Sequence, residues 1–140
     1  MARPTVFVVD DSSSVRTGIR RLLAPLRHPV RVFASAEQFI ASTDAHSRGC
    51  LVMDVRLPGM SGLELQQRIA EQGWVLPIVF VTAQEDHATR EAALRRGAAD
   101  YLPKPFPCDQ LLADVRRAMA PDGPDRAGPP DESRPDSPKT

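Results

Sequence analysis

Apolar positions along the chain fall into two alternating kinds of stretch, short continuous runs and longer amphipathic segments. Thr5-Val6-Phe7-Val8-Val9 is a continuous β-branched and aromatic run, the pattern of a central parallel strand covered on both faces. It stops at Asp10-Asp11. Ser12-Ser13-Ser14 follows and can cap a helix in which Val15, Ile19, Leu22 and Leu23 recur at i, i+4, i+7 and i+8. Pro25 ends that helix. Val30–Phe33 predicts a second, short strand, Ser35 caps a helix carrying Phe39 and Ile40, and Thr43–Gly49 reads as a polar loop. Leu51-Val52-Met53, opened by Cys50, is a third buried run and ends at Asp54. Beyond a Pro58-Gly59 turn and Ser61, the spacing predicts a helix over Gly62–Gln72 with Leu65 and Ile69 on one face and Gly73 as its stop. Pro77 introduces Ile78-Val79-Phe80-Val81, a fourth strand ending at Thr82-Ala83. An alanine-rich helix over Asp86–Arg96 (Ala88, Ala92, Ala93) has Gly97 at its left-handed C′ position. Tyr101-Leu102 is a minimal fifth strand stopped by Pro103-Lys104-Pro105. A last helix, Cys108–Met119, places Leu111, Leu112, Val115 and Met119 on its buried side.

Strand and helix thus alternate five times, with connections short enough only for βαβ crossovers. The class is α/β, a doubly wound five-stranded parallel sheet with helices on both faces. Periodicity leaves the strand order open. One folded unit over 1–120 accounts for all of these elements, and 140 residues suffice to close a single core. From Pro121 the composition changes. Residues 121–140 hold six of the 14 prolines and no apolar periodicity, so they are expected to form a disordered Pro-rich tail or linker.

Composition narrows the function. Lysine plus arginine equals aspartate plus glutamate at 18 each, so bulk charge draws the chain neither to nucleic acid nor to a membrane surface. No apolar run approaches spanning length, and no signal peptide precedes Thr5. Cys50 and Cys108 show neither a CxxC pair nor metal-ligand spacing, which suits free thiols in a reducing compartment. A cytoplasmic location is expected.

The polar residues at the strand ends carry the chemistry. Strand one ends in Asp10-Asp11, strand three in Asp54, strand four in Thr82, and strand five leads into Lys104. In a parallel α/β sheet these ends converge on one edge, the edge where such folds bind ligands. Singly, each suits an ordinary role: a helix cap, a β-former, a solvated lysine. Together they place three carboxylates where mutual repulsion needs an answer, from the Lys104 ammonium and from a hard cation. Mg²⁺ suits the set, since it takes oxygen ligands and one or two carboxylates while keeping waters. Carboxylates, a hydroxyl and a lysine around Mg²⁺ match the needs of phosphoryl transfer.

With those residues in view, the chain resembles the receiver domain of two-component response regulators over Thr5–Met119. VVDD (Val8–Asp11), MDVRLPGMSG (Met53–Gly62), VTA (Val81–Ala83) and GAADYLPKPF (Gly97–Phe106) stand in the family's order and spacing, closest in wording to receivers of the nitrogen-fixation regulator type. The resemblance implies the flavodoxin-like strand order 2-1-3-4-5. It implies Asp54 as phosphoacceptor, taking phosphoryl from a phosphohistidine of a sensor histidine kinase or a phosphotransfer protein. Asp11, Asp54 and the backbone carbonyl of Arg56 would bind Mg²⁺, with Asp10 acting through water. Thr82 and Lys104 would hold the phosphoryl oxygens, and the Lys104–Pro105 peptide would be cis. Tyr101 stands where the family has its switch aromatic. A downstream target or a second copy would then bind through the fourth helix, fifth strand and last helix. The 20 residues after Ala120 cannot form a DNA-binding output, so the expectation is either a single-domain regulator or part of a longer one.

Other functions fit less well. A flavodoxin-like cofactor binder would set an anionic phosphate against the acids and lacks a phosphate loop after strand one. A metal-dependent phosphatase of the doubly wound type needs a second acid two residues after its nucleophile, where this chain has Arg56. A degenerate receiver acting as a phosphorylation-independent interaction module is the remaining alternative, but such forms usually lack an acid, the threonine or the lysine. The expected activity is not that of an enzyme on an external substrate. It extends only to the chain's own phosphorylation and dephosphorylation.

Overall fold

The computed structural model describes residues 3–83 and 86–120. The proposed tail and Gln84 lie outside the described residues. Along the chain run β1 (Thr5–Val9), α1 (Ser13–Leu23), β2 (Val30–Phe33), α2 (Ala36–Ser42), β3 (Gly49–Met53), α3 (Gly62–Glu71), β4 (Ile78–Thr82), α4 (His87–Arg95), β5 (Asp100–Pro103) and α5 (Cys108–Met119). Pro25 does not finish α1 abruptly: a 3₁₀ turn over Ala24–Leu26 follows, with Pro25 near its start, where the missing N–H is harmless. Every strand pair is parallel, and the sheet order is β2-β1-β3-β4-β5, the flavodoxin-like order.

Alternation along each strand divides the interior into two layers. Phe7, Val9, Leu51, Met53, Ile78, Phe80 and Tyr101 face α2, α3 and α4, meeting Phe39, Leu65, Ile69 and Ala93. Val6, Val8, Cys50, Val52, Val79, Val81 and Leu102 face α1 and α5, meeting Ile19, Leu23, Leu111 and Val115. Each fully buried side chain of this kind contributes about 1.5–3 kcal/mol, so the three inner strands act as the common wall of both layers. Phe39 anchors the first layer, its ring edge-on to Phe7 at 5.5 Å and to Phe33 at 5.6 Å.

Local chemistry sets the helix ends. Ser12, Ser35 and Ser61 accept from the amides of Val15, Gln38 and Glu64, and Glu64 returns a bond to the Ser61 amide to complete a capping box. Asp86 caps α4 instead of joining it, and Gln72 closes α3 as its C-cap, which shortens both helices relative to the periodicity. On α5 Leu112 is only half-buried, at the margin of the apolar stripe, and on α4 Ala88 is exposed while Ala93 is buried. β3 starts at Gly49, one residue before Cys50. There the backbone has φ 129°, and a Cβ would run into the Thr5 carbonyl.

Gly62 has a comparable duty at the start of α3. A Cβ there would collide with the Asp54 carbonyl oxygen and sit 3.0 Å from the Val55 Cα, while the Gly62 amide donates to the Val55 carbonyl at 2.8 Å. The absent side chain lets α3 begin directly behind the end of β3. Gly62→Ala is therefore expected to destabilise by about 1–3 kcal/mol in urea titrations. Gly18→Ala, in α1 with nothing within 4 Å of the new Cβ, is expected to stabilise by about 0.5–1 kcal/mol in the same assay.

Candidate functional site

Parallel strands put all their carboxyl ends on one edge, and four of the five ends bring a polar side chain there. β1 runs into Asp10 (2% exposed), β3 into Asp54 (6% exposed), β4 finishes at Thr82 (1% exposed), and β5 leads to Lys104. Backbone bonds pin these ends: the Asp10 amide donates to Phe33, the Asp54 amide to Val9, and the Lys104 amide to the Thr82 carbonyl at 3.0 Å. Lys104–Pro105 is cis. Asp11 stands at the rim, exposed.

The carboxylates of Asp10, Asp11 and Asp54 each offer an oxygen within 4.8 Å of the others. Lys104 Nζ lies between two of them, 2.7 Å from Asp54 Oδ2 and 2.8 Å from Asp10 Oδ2. Burial works against its charge, but the hydrogen bonds and charges of Asp10 and Asp54 prevail and raise its pKa above the usual lysine value. The remaining oxygens are held by backbone. Asp10 Oδ1 accepts from the Ser12 amide at 2.9 Å, and Asp54 Oδ1 from the Arg56 amide at 3.1 Å. Two acids thus answer one ammonium, and Asp11 adds a third negative charge at the rim. An all-oxygen set of this charge and spread fits a hard divalent cation.

Tyr101 lies below this edge, 8% exposed, its ring tilted on Phe80 at 5.9 Å. Its hydroxyl is pushed to a higher pKa by burial and then by the charges of Asp86 and Asp54, against the pull of Arg90. The ring therefore occupies the inward of the two positions open to an amphipathic side chain.

Two residues escaped the sequence reading. Glu37, on α2, reaches the loop after β3, where its Oε2 accepts from the Met60 amide at 2.7 Å. That amide, more than any other contact, lowers the Glu37 pKa. Arg16, on α1, sends its guanidinium back to the end of β1, where it donates to the Asp10 carbonyl at 2.7 Å. Arg20 is exposed. Neither contact leaves a mark on periodicity, because both join residues distant in sequence or ends of different elements.

A sequence model of the response regulator receiver domain matches residues 6–116. The chain belongs to this family. Among its relatives, the transcriptional regulatory protein TdiR of Thauera aromatica is 43% identical over 83% of the chain and 51% of its own length. The chain therefore spans about half of that relative. A structure of the response regulator StyR superposes with a TM-score of 0.78 at 43% identity, covering 84% of this chain and 60% of StyR. A receiver protein from Pseudoalteromonas atlantica matches equally well, TM-score 0.78 at 30% identity, over 83% of this chain and 97% of its own. The chain is thus the receiver domain of a two-component response regulator, a phosphorylatable switch of a family that works with sensor kinases and typically uses Mg²⁺. With every acid, Thr82 and Lys104 in place, nothing favours a degenerate receiver.

Removing the ammonium tests the electrostatics of this receiver. Lys104→Met leaves the buried oxygens of Asp10 and Asp54 without their shared donor and is expected to destabilise by about 1–3 kcal/mol near neutral pH. Because the folded pKa of Lys104 is raised, its contribution is complete below the usual lysine value and disappears as pH rises through the folded one. Wild type should lose this advantage over the variant at strongly alkaline pH, as read by urea midpoints across pH.

Proposed function

We propose that Asp54 is the phosphoacceptor of this receiver and that Asp10, Asp11, Thr82 and Lys104 equip it for that role. The observation that carries the reading is the placement of Lys104 Nζ within 2.8 Å of both Asp54 and Asp10. It sets a positive charge where phosphoryl oxygens would arrive. A carboxylate oxygen of Asp54 attacks the phosphorus of a donor phosphohistidine, and the P–N bond breaks with its electron pair leaving on the imidazole. Lys104 neutralises oxygen charge that grows in the transition state, and Thr82 donates a hydroxyl hydrogen bond to one phosphoryl oxygen. Asp11, Asp54 and the Arg56 carbonyl would hold Mg²⁺, with Asp10 acting through water, and the ion would supply further charge neutralisation at the phosphoryl group.

Phosphorylation adds about −1.5 to −2 charge at Asp54. Thr82 follows the new acceptor, and its movement releases Tyr101 from one packing state to the other, altering the surface of α4, β5 and α5. A downstream protein or a second copy would bind there. The proposed donor is a sensor histidine kinase or phosphotransfer protein of the cytoplasm, and the chain acts on no substrate beyond its own aspartyl phosphate. Likeness to TdiR, a transcriptional regulatory protein by name, supports a transcriptional output for the whole protein. The folded domain is taken as 1–120, with 121–140 as tail or linker.

The deciding experiment is intact mass after incubation with a small phosphodonor. Wild type should gain one phosphoryl group with Mg²⁺ and little without it, and Asp54→Asn should gain none while keeping its fold. Stoichiometric labelling of Asp54→Asn would show that the acceptor lies elsewhere. Mg²⁺ should also raise the melting temperature of wild type, because a ligand of the folded state alone stabilises by mass action. Asp11→Ala is expected to lose that rise, and an equal rise in both would place the metal at other residues.

A further inference from the structure

Away from the phosphoryl site, two aspartates meet where α5 packs on β5. Asp114, on α5, is 3% exposed, its Oδ2 has no hydrogen-bond donor among the described residues, and its carboxyl group lies against that of Asp100. Gln110 spans the pair with a single amide, whose Nε2 lies 3.0 Å from Asp114 Oδ1 and 3.3 Å from Asp100 Oδ2. Asp100 Oδ1 is already taken by the Tyr101 amide at 2.8 Å. Arg117 reaches Asp114 Oδ1 only at 3.6 Å, from an exposed side chain. Two carboxylates in contact, with one oxygen buried and given no donor, cannot both be ionised at modest cost.

We propose that Asp114 retains a proton on Oδ2 and donates it to Asp100, so that α5 is fastened to β5 by a carboxyl–carboxylate hydrogen bond that is lost when Asp114 ionises. The proton neutralises one acid, satisfies the orphaned oxygen and removes the repulsion in one step. The titration behaviour agrees. Burial, then the hydrogen bond and charge of Asp100, push the Asp114 pKa up to about 7, against Gln110 and Arg117. Burial acts upward on Asp100 too, but the bonds from Asp114, the Tyr101 amide and Gln110, with the Arg117 charge, hold it below the ordinary value. Among the described residues, the ionisable groups that act on Asp114 are Asp100 and Arg117. The strands facing α5 present valines and the Cys50 thiol, and α1 presents Ile19 and Leu23.

The sign follows from linkage. Asp114 has its folded pKa raised, so its contribution to stability is complete below the ordinary aspartate value and gone once pH has passed about 7. Asp100 is lowered, so its contribution is present above the ordinary value and fails only in acid. The pair therefore adds most stability just above the ordinary aspartate value and progressively less as pH rises to about 7. Since Asp100 also holds the Tyr101 amide, the loosening reaches the strand that carries the switch aromatic.

Carboxyl carbon NMR of the full chain, labelled at aspartate, tests this directly. The Asp114 signal should titrate with a midpoint near 7, and a midpoint in the ordinary aspartate range would overturn the proposal whether or not any variant folds. Asp114→Asn replaces the protonated acid with a neutral donor of the same shape. It should flatten the fall in melting temperature between about pH 4 and pH 7 expected of wild type and melt higher than wild type at pH 8. In wild type the Tyr101 amide shift should follow the Asp114 midpoint and lose that response in Asp114→Asn. A response that persists there would belong to another group, such as exposed His87 on α4, and would overturn the link to β5.

Discussion

Three carboxylates gathered at one sheet edge, answered within the chain by a single ammonium, constrain the rest of this structure. Their repulsion is tolerable only if each oxygen has an assigned donor. The fold supplies those donors with backbone: the Ser12 amide for Asp10, the Arg56 amide for Asp54, and Lys104 between them. Each donor in turn depends on a helix or loop being started at one place. Ser12 both caps α1 and presents its amide to Asp10, and Gly62 lets α3 begin close behind Asp54. The apolar layers hold these starts in place.

The carboxyl pair at Asp100 and Asp114 obeys the same rule with the opposite solution. At the edge formed by the strand ends, repulsion is met by a lysine that bonds both buried acids. Beneath α5 no lysine arrives, and the lower-energy arrangement is to hold a proton. Burial is similar, since Asp54 and Asp114 are 6% and 3% exposed.

Much of this was legible in the sequence, for a physical reason. Strands covered on both faces must be apolar throughout, so Val6–Val9, Leu51–Met53 and Ile78–Val81 stand out as runs, and their polar ends mark the site edge. Strand order was not legible from periodicity and came from the family resemblance, because nothing in the pattern of β1 says which strands lie beside it. Helix ends shifted where a side chain left the helix to cap it, as Asp86 does. Leu112 was misplaced in burial because helical spacing fixes a direction but not how far the neighbouring layer extends. Glu37 and Arg16 were invisible as contributors, since a glutamate bonded to a loop 23 residues away looks in sequence like any surface glutamate.

The parallel order also has a temporal consequence. Thr5 pairs with Gly49, and Thr82 pairs with Pro103, so the site edge is complete only when crossovers spanning most of the chain have closed. Asp10 and Asp11 leave the ribosome first, but the ammonium that neutralises them belongs to the last strand connection. A nascent chain, or one whose β5–α5 end has opened, therefore presents the acids without Lys104. The paired acids and their ammonium thus come together only in a finished fold.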